Sequence, residues 1–259
     1  KLPLPIALLL AMTAAAALGV IIERAAYRPL RGAPRLSTLI TAIGVSLLLQ
    51  NLGVLTVGAS PRPYPAALSP QPIASVEKAT GVLVTPQQVA ILAATACILL
   101  LLHIVVSHTK IGMAMRAVSE DKEAAQLMGV CVNRVVSATF ALGSAIAGAG
   151  GVLYGVYYGT ADPLMGLMPG IKAFVAAVLG GIGNIPGAVL GGLLMGVVET
   201  GVSSFSLRLS ADLTITGATL RDAVAFAILI AILVGRPAGL MGRTTRIAMR
   251  MAKATASRS

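Results

Sequence analysis

Long apolar runs alternate with short polar ones along almost the whole chain. Leu2–Ile22, Leu36–Val57, Pro86–Val106, Val135–Tyr157 and Leu220–Gly235 are nearly unbroken hydrophobic stretches, and a glycine-interrupted apolar pair occupies Ile171–Phe205. A helix rising 1.5 Å per residue needs about 20 apolar residues to cross a ~30 Å hydrocarbon core. The pattern therefore predicts an all-α, polytopic membrane helix bundle of about seven membrane segments, one of them broken or half-length.

The polar segments between the runs set the expected sidedness. Three are strongly basic: Glu23–Arg35, with Arg24, Arg28, Arg31 and Arg35; Ser107–Arg134, with Lys110, Arg116, Lys122 and Arg134; and the tail from Arg236, with Arg243, Arg246, Arg250, Lys253 and Arg258. Lys and Arg concentrate in cytoplasmic loops, so all three are expected inside, with the C-terminus cytoplasmic. Gly58–Thr85 is proline-rich with only Arg62 and Lys78, and Tyr158–Gly170 holds Asp162 and no cation; these are expected outside. An odd number of crossings must then join Tyr158 to Arg236. Gly187–Phe205 and Leu220–Gly235 supply two of them. The third falls on Ile171–Ile182, which ends in the glycine-rich run GGIGNIPGA. Irregular backbone at membrane depth survives only where protein or a watery cavity covers it, so a half-helix packed within the bundle is expected. By this reading residues 1–235 form the transmembrane domain, with an outer loop at 58–85 and a cytoplasmic loop at 107–134, and 236–259 form a basic cytoplasmic tail.

Composition agrees with a membrane location. The chain is 56% hydrophobic and 11% charged, with mean hydropathy +0.88 and no Trp, whereas soluble domains carry about a quarter charged residues. The net charge of +11 lies in the loops between spans, which fits membrane sidedness rather than nucleic-acid binding. Cys97 in an apolar run and Cys131 in a polar one read as free thiols. The apolar run after Lys1 exceeds the roughly 7 to 15 residues of a signal-peptide core, so it reads as a spanning helix; the chain is expected to be a fragment lacking something upstream.

Glycines recur every four residues at Gly151, Gly155 and Gly159, at Gly187 and Gly191, and at Gly192 and Gly196. Such stripes flatten a helix face for close packing. They also fit the flanks of a translocation path, where discontinuous helices hold transport sites. Gly180, Gly181, Gly183, Asn184, Pro186 and Gly187 are the candidate path residues.

Motifs of covalent chemistry are missing from the sequence. It has no Gly-x-x-x-x-Gly-Lys-Ser/Thr, no His-Glu-x-x-His and no Gly-x-Ser-x-Gly, and His103 and His108 are its histidines. No catalytic residue, metal ligand or bound cofactor is therefore expected in this chain. Glu199, read as an interface-facing carboxylate, and Lys172, read as snorkelling to water, are among the few ionisable groups within spans. With few charges at mid-membrane to bind a driving ion, an external energy source is expected.

One polar stretch, EDKEAAQLMGV over Glu120–Val130, interrupts the apolar pattern on the side expected to be cytoplasmic. Ser119 is expected to cap a short helix, with Glu120, Asp121 and Glu123 in its first turn favoured by the helix dipole. Ala124, Ala125, Leu127 and Met128 would give a small apolar face, and Gly129 a stop. So short a helix is marginal alone, which points to docking on a partner.

Glu123, Ala124, Ala125 and Gly129 resemble the Glu-Ala-Ala coupling loop of ABC-importer permeases. ERAAYRPLRGAPRLSTLITAIGVSLLLQN (Glu23–Asn51) and GIKAFVAAVLGGIGNIPGAVLGGLLMGVVE (Gly170–Glu199) resemble the permeases of branched-chain amino-acid importers, the LivH type. The similarity covers nearly the whole chain. The wider Ile-x-Leu-Pro consensus is not recognisable after Gly129, and the family's usual N-terminal portion does not precede Lys1. The resemblance implies a multi-pass permease of the bacterial inner membrane that works by alternating access. It also implies two ATPase subunits carrying ATP and magnesium, a second related permease, and an extracytoplasmic substrate-binding protein. Related permeases for urea, short-chain amides or other amino acids are the first alternative, followed by a secondary transporter and a membrane-embedded enzyme.

Overall fold

The computed structural model describes residues 3–30, 32, 34–64, 84–181, 183–204, 206–208 and 214–216, with the single positions 223, 227, 230, 239 and 241. Most of the predicted helix Leu220–Gly235, most of the outer loop and almost all of the basic tail lie outside the described residues. The chain divides into two compact units, Lys1–Met165 and Gly166–Ser259.

In the first unit, α1 (Leu4–Ile22) runs into a π-helical turn, Glu23–Tyr27, followed by α2 (Arg35–Val57), α3 (Pro86–His108), α4 (Lys110–Glu120), α5 (Lys122–Leu127) and α6 (Val132–Tyr158). Proline stands in the first turn of α1 and α3, where a missing N–H costs nothing. At α3, Thr85 and Gln88 cap each other reciprocally: the Gln88 N–H donates to Thr85 Oγ1 at 3.3 Å and the Thr85 N–H to Gln88 Oε1 at 3.0 Å. Gly58 (φ 94°) and Gly159 (φ 69°) end α2 and α6 in conformations that favour glycine.

Five described helices, α1, α2, α3, α6 and α8 (Ile185–Ser204), are long and apolar enough to cross a membrane. Their large side chains turn outward: Leu9 is 62% exposed, Ile40 69% and Leu92 69%. Lipid tails solvate such side chains, so burying them gains little and the helices must associate by other means.

The α1–α6 seam shows what those means are. A Cβ on Gly19 of α1 would stand 2.1 Å from Ser144 Oγ, and one on Gly148 of α6 would stand 2.7 Å from Ala15 Cβ and 2.8 Å from the Ala11 carbonyl. As the α1 partner steps back from 19 to 15 and 11, the α6 partner advances from 144 to 148, so the helices run antiparallel. The expected stripe at Gly151, Gly155 and Gly159 is not the packed face. Gly151 has open space around it, Gly155 faces the Tyr64 ring and Gly159 is the helix stop. Periodicity located small residues on α6 but could not find where α1 crosses it.

The seam also sorts the loops of this unit. Ser137, in the first turns of α6, meets Glu23 at the end of α1, so Arg24, Arg28, Lys122 and Arg134 belong to one end. At the other end, β1 (Arg62–Pro63) pairs antiparallel with β2 (Thr160–Ala161), the Tyr64 N–H donates to the Gly159 carbonyl at 2.8 Å, and Gln87 Nε2 donates to the Val156 carbonyl.

Among its described residues the second unit holds a helical hairpin, α7 (Leu167–Gly180) and α8, and then a two-stranded antiparallel pair, β3 (Ser206–Arg208) and β4 (Thr214–Thr216). With 14 residues, α7 is about 21 Å long, short of a full crossing, as expected for a half-length segment. A Cβ on Gly187 would stand 2.4 Å from the Gly180 carbonyl oxygen, and one on Gly191 would stand 2.3 Å from that of Ala176. The Gly187–Gly191 stripe is therefore a packed face; Gly192 borders it, a Cβ there standing 3.9 Å from that of Ala176, and Gly196 has open space around it.

Replacing Gly148 with Leu should lower stability by about 1–3 kcal/mol through overpacking, whereas Gly151→Ala should be neutral or stabilise by up to about 1 kcal/mol through helix propensity. Thermal unfolding of the detergent-solubilised protein measures both; equal effects at the two sites would contradict the assigned seam.

Candidate functional site

The helix expected in EDKEAAQLMGV is α5, but its cap differs from expectation. The Ser119 hydroxyl donates back to the Arg116 carbonyl at 2.7 Å, inside the last turn of α4. Asp121 is the N-cap: it leaves helical geometry (φ −149°, ψ 115°), and its Oδ1 accepts from the N–H groups of Glu123 at 2.9 Å and Ala124 at 3.1 Å. A carboxylate is a strong cap and also answers the helix dipole, so it outcompetes the serine two residues earlier. The acids are thus divided: Glu120 closes α4, Asp121 caps α5 and Glu123 lies in the first turn of α5.

The far end of α5 is a Schellman turn. The Gly129 N–H donates to the Gln126 carbonyl at 2.9 Å and the Val130 N–H to the Ala125 carbonyl at 3.0 Å, with Gly129 at φ 83°. The accompanying apolar contact is present. Ala125 is buried with Val118 of α4 and Val132 of α6, and Val130, Val135 and Val136 pack around them. The expected four-residue face therefore splits. Ala125 anchors α5 to its own protein, while Glu123, Ala124, Leu127 and Met128 face outward, Leu127 at 89% exposure and Met128 at 84%. The seven-residue spacing of Val118, Ala125 and Val132 was the available signal for this split.

Beneath α5, α4 is held to the end of α3. Thr109 caps α4 by accepting from the Gly112 N–H at 3.1 Å, and Arg116 donates to the Val106 carbonyl. A Cβ on Gly112 would stand 2.2 Å from that same carbonyl oxygen, so the fold-back requires glycine there.

Sequence reasoning missed Glu23, which stood at the head of a basic loop. It is fully buried, and its Oε2 accepts from the Ser137 hydroxyl at 2.6 Å. A lone acid among four arginines was the only hint.

In the second unit, Gly180 ends α7, and Gly181 (φ 106°) and Gly183 (φ 90°) turn the chain. Asn184 caps α8, its Oδ1 accepting from the Gly187 N–H at 3.2 Å, and Pro186 follows in the first helical turn. Asn184 Nδ2 donates to the Met241 carbonyl at 3.0 Å, and the Met241 N–H donates to the Gly180 carbonyl at 3.1 Å. All six candidate path residues thus belong to one turn, distinct from the unit that carries α5. Lys172 and Glu199, expected to face water and the interface separately, instead form an ion pair at 2.9 Å. Pairing them across the α7–α8 hairpin is the cheaper arrangement for two charges in an apolar setting.

Residues 2–233 match the family described as branched-chain amino acid transport system / permease component. The chain belongs to this family. The permease is 41% identical over 227 residues to the high-affinity branched-chain amino acid transport system permease protein BraD of Pseudomonas aeruginosa, covering 88% of this chain and 71% of the relative. It is also 41% identical over 233 residues to LivH of Escherichia coli K12, covering 90% and 72%. A more distant likeness, 29% over 124 residues, links 46% of the permease to 32% of the E. coli K12 xylose transport system permease protein XylH. No solved structure matches it.

In the permease, Asp121→Ala should destabilise α5 by about 1 kcal/mol, the usual cost of a lost cap, while Ser119→Ala should change it by less than about 0.5 kcal/mol. Hydrogen exchange at the Glu123 and Ala124 amides reports this directly: roughly fivefold faster in the first variant, unchanged in the second.

Proposed function

We propose that this permease is the transmembrane subunit of an ATP-driven importer that carries branched-chain amino acids into the cell by alternating access, with α5 as the helix that receives the motor's movement. Family membership and the likeness to BraD and LivH, both branched-chain amino acid transport permeases, support the substrate. The observation that carries the mechanism is the outward pair Leu127 and Met128 on a helix whose other side is locked down through Ala125. Adjacent large apolar side chains exposed at a polar, cation-rich end of the unit, outside the spans, favour burial against a partner. Methionine adapts well to such a surface.

The expected partners are two ATPase subunits holding ATP and magnesium, a second related permease, and a binding protein outside the membrane. The sequence has no phosphate loop of its own, so hydrolysis falls to the ATPase subunits. Positive-inside sidedness puts the basic end of the first unit, and the basic tail, in the bacterial cytoplasm. That orientation brings Glu123, Ala124 and Gly129 to the motor. The α7–α8 turn from Gly180 to Gly187 is our candidate for the flank of the path, because interrupted helices supply backbone dipoles to a substrate at membrane depth.

Leu127→Asp combined with Met128→Asp should abolish ATPase retention during purification of the full complex and cut uptake of labelled leucine about tenfold or more, since each charge would be buried on docking. Uptake of leucine in preference to urea by the wild-type complex is the accompanying expectation. Undiminished retention of the ATPase would overturn the role of α5, and uptake of urea alone would overturn the substrate.

A further inference from the structure

Glu23 is the sole buried charged or polar residue among those described. Burying a carboxyl group between membrane helices is costly unless it is well partnered. Its environment is also unusual. It opens the π turn Glu23–Tyr27, in which the Arg28 N–H reaches back five residues to the Glu23 carbonyl at 2.7 Å; such widened turns are concentrated at functional positions.

The residues it meets lie directly downstream of α5. Ala125 of α5 and Val132 of α6 share one buried cluster, with Val135 and Val136 packed on it. The next residue, Ser137, donates to Glu23 Oε2 at 2.6 Å. One turn further along α6, the Phe140 ring lies 5.1 Å from the Tyr27 ring at the other end of the π turn. Then comes the contact of Ser144 with Gly19. The coupling helix, the first turns of α6 and the end of α1 therefore form one uninterrupted series of packed or hydrogen-bonded groups.

We infer that Glu23 is a positioning residue, which with Ser137 latches the end of α1 to the root of α6 so that displacement of α5 moves both spans together. This rests on the importer reading above. Packing at Gly19 and Gly148 holds the helices close, but flat small-residue faces resist sliding weakly. A hydrogen bond from Ser137 to a buried carboxylate fixes the register, because any slip leaves a buried charge without one of its partners.

The test uses the full permease assembled with its ATPase and binding-protein partners in proteoliposomes, and reads substrate taken up per ATP hydrolysed. Ser137→Ala and Glu23→Ala should each lower that ratio about tenfold while leaving ATP hydrolysis within about twofold of wild type, a coupling loss of the usual size. Glu23→Gln, whose side-chain oxygen still accepts from Ser137, should retain most of the ratio. The substrate is whichever of labelled leucine or urea the wild type carries, so an error in substrate shows in the wild type and an error in the latch shows only in the ratio. An unchanged ratio in Ser137→Ala would overturn the inference. So would parallel loss of uptake, hydrolysis and thermal stability, or a glutamine variant as impaired as the alanine one.

Discussion

Helices surrounded by lipid gain almost nothing by hiding leucine from it, and this permease is arranged around that constraint. Many of the described leucines and isoleucines on its spans are exposed, and the contacts that fix one span against another are made where side chains are nearly absent: Gly19 on Ser144, Gly148 on Ala11 and Ala15, Gly187 on Gly180, Gly191 on Ala176. Backbones that approach so closely gain dispersion contacts along their whole crossing. The same closeness makes each crossing intolerant of a methyl group. Everything the first unit presents outside the membrane, including the mount for α5, inherits its position from the α1–α6 seam.

On that rigid base the loop between α3 and α6 becomes a built element rather than a tether. Thr109 starts α4, Asp121 starts α5, and the Schellman turn at Gly129 ends it, so the caps of both short helices are supplied by the segment itself. Ala125 then plugs α5 into the valine cluster at the root of α6. A short helix that would not persist alone in water is held at both ends and from beneath, and it offers Leu127 and Met128 outward at fixed positions. A force applied there is delivered to α6, and through Ser137 and Glu23 to α1.

Much of this was legible in the sequence, and the physics explains which parts. Span length and loop charge act one residue at a time, so the described spans fell within a few residues of expectation. So did the break after Gly180 and the stop at Gly129, where a single glycine dictates the turn. What depends on two distant segments meeting was hidden. Only a seven-residue spacing from Val118 and Val132 separates Ala125 from Ala124, and nothing local separates Gly148 from Gly151; the crossing partner decides both. Ser119 was chosen as the cap because serine and aspartate both qualify, and the winner is settled by which residue leaves helical geometry first. The pairing of Lys172 with Glu199 across a hairpin, and the burial of Glu23 against Ser137 more than a hundred residues on, likewise belong to contacts between helices.

The central claim is that a separate ATPase grips this permease at the outward side of α5. Site-directed crosslinking in the assembled transporter tests it most directly, after replacing the exposed Cys97 and Cys131 and placing one cysteine at position 125, 127 or 128. The account predicts crosslinks to the ATPase from 127 and 128 and none from 125, whose side chain lies against Val118 and Val132. Crosslinks absent at 127 and 128 in a complex that retains its ATPase, or equally strong from 125, would contradict it.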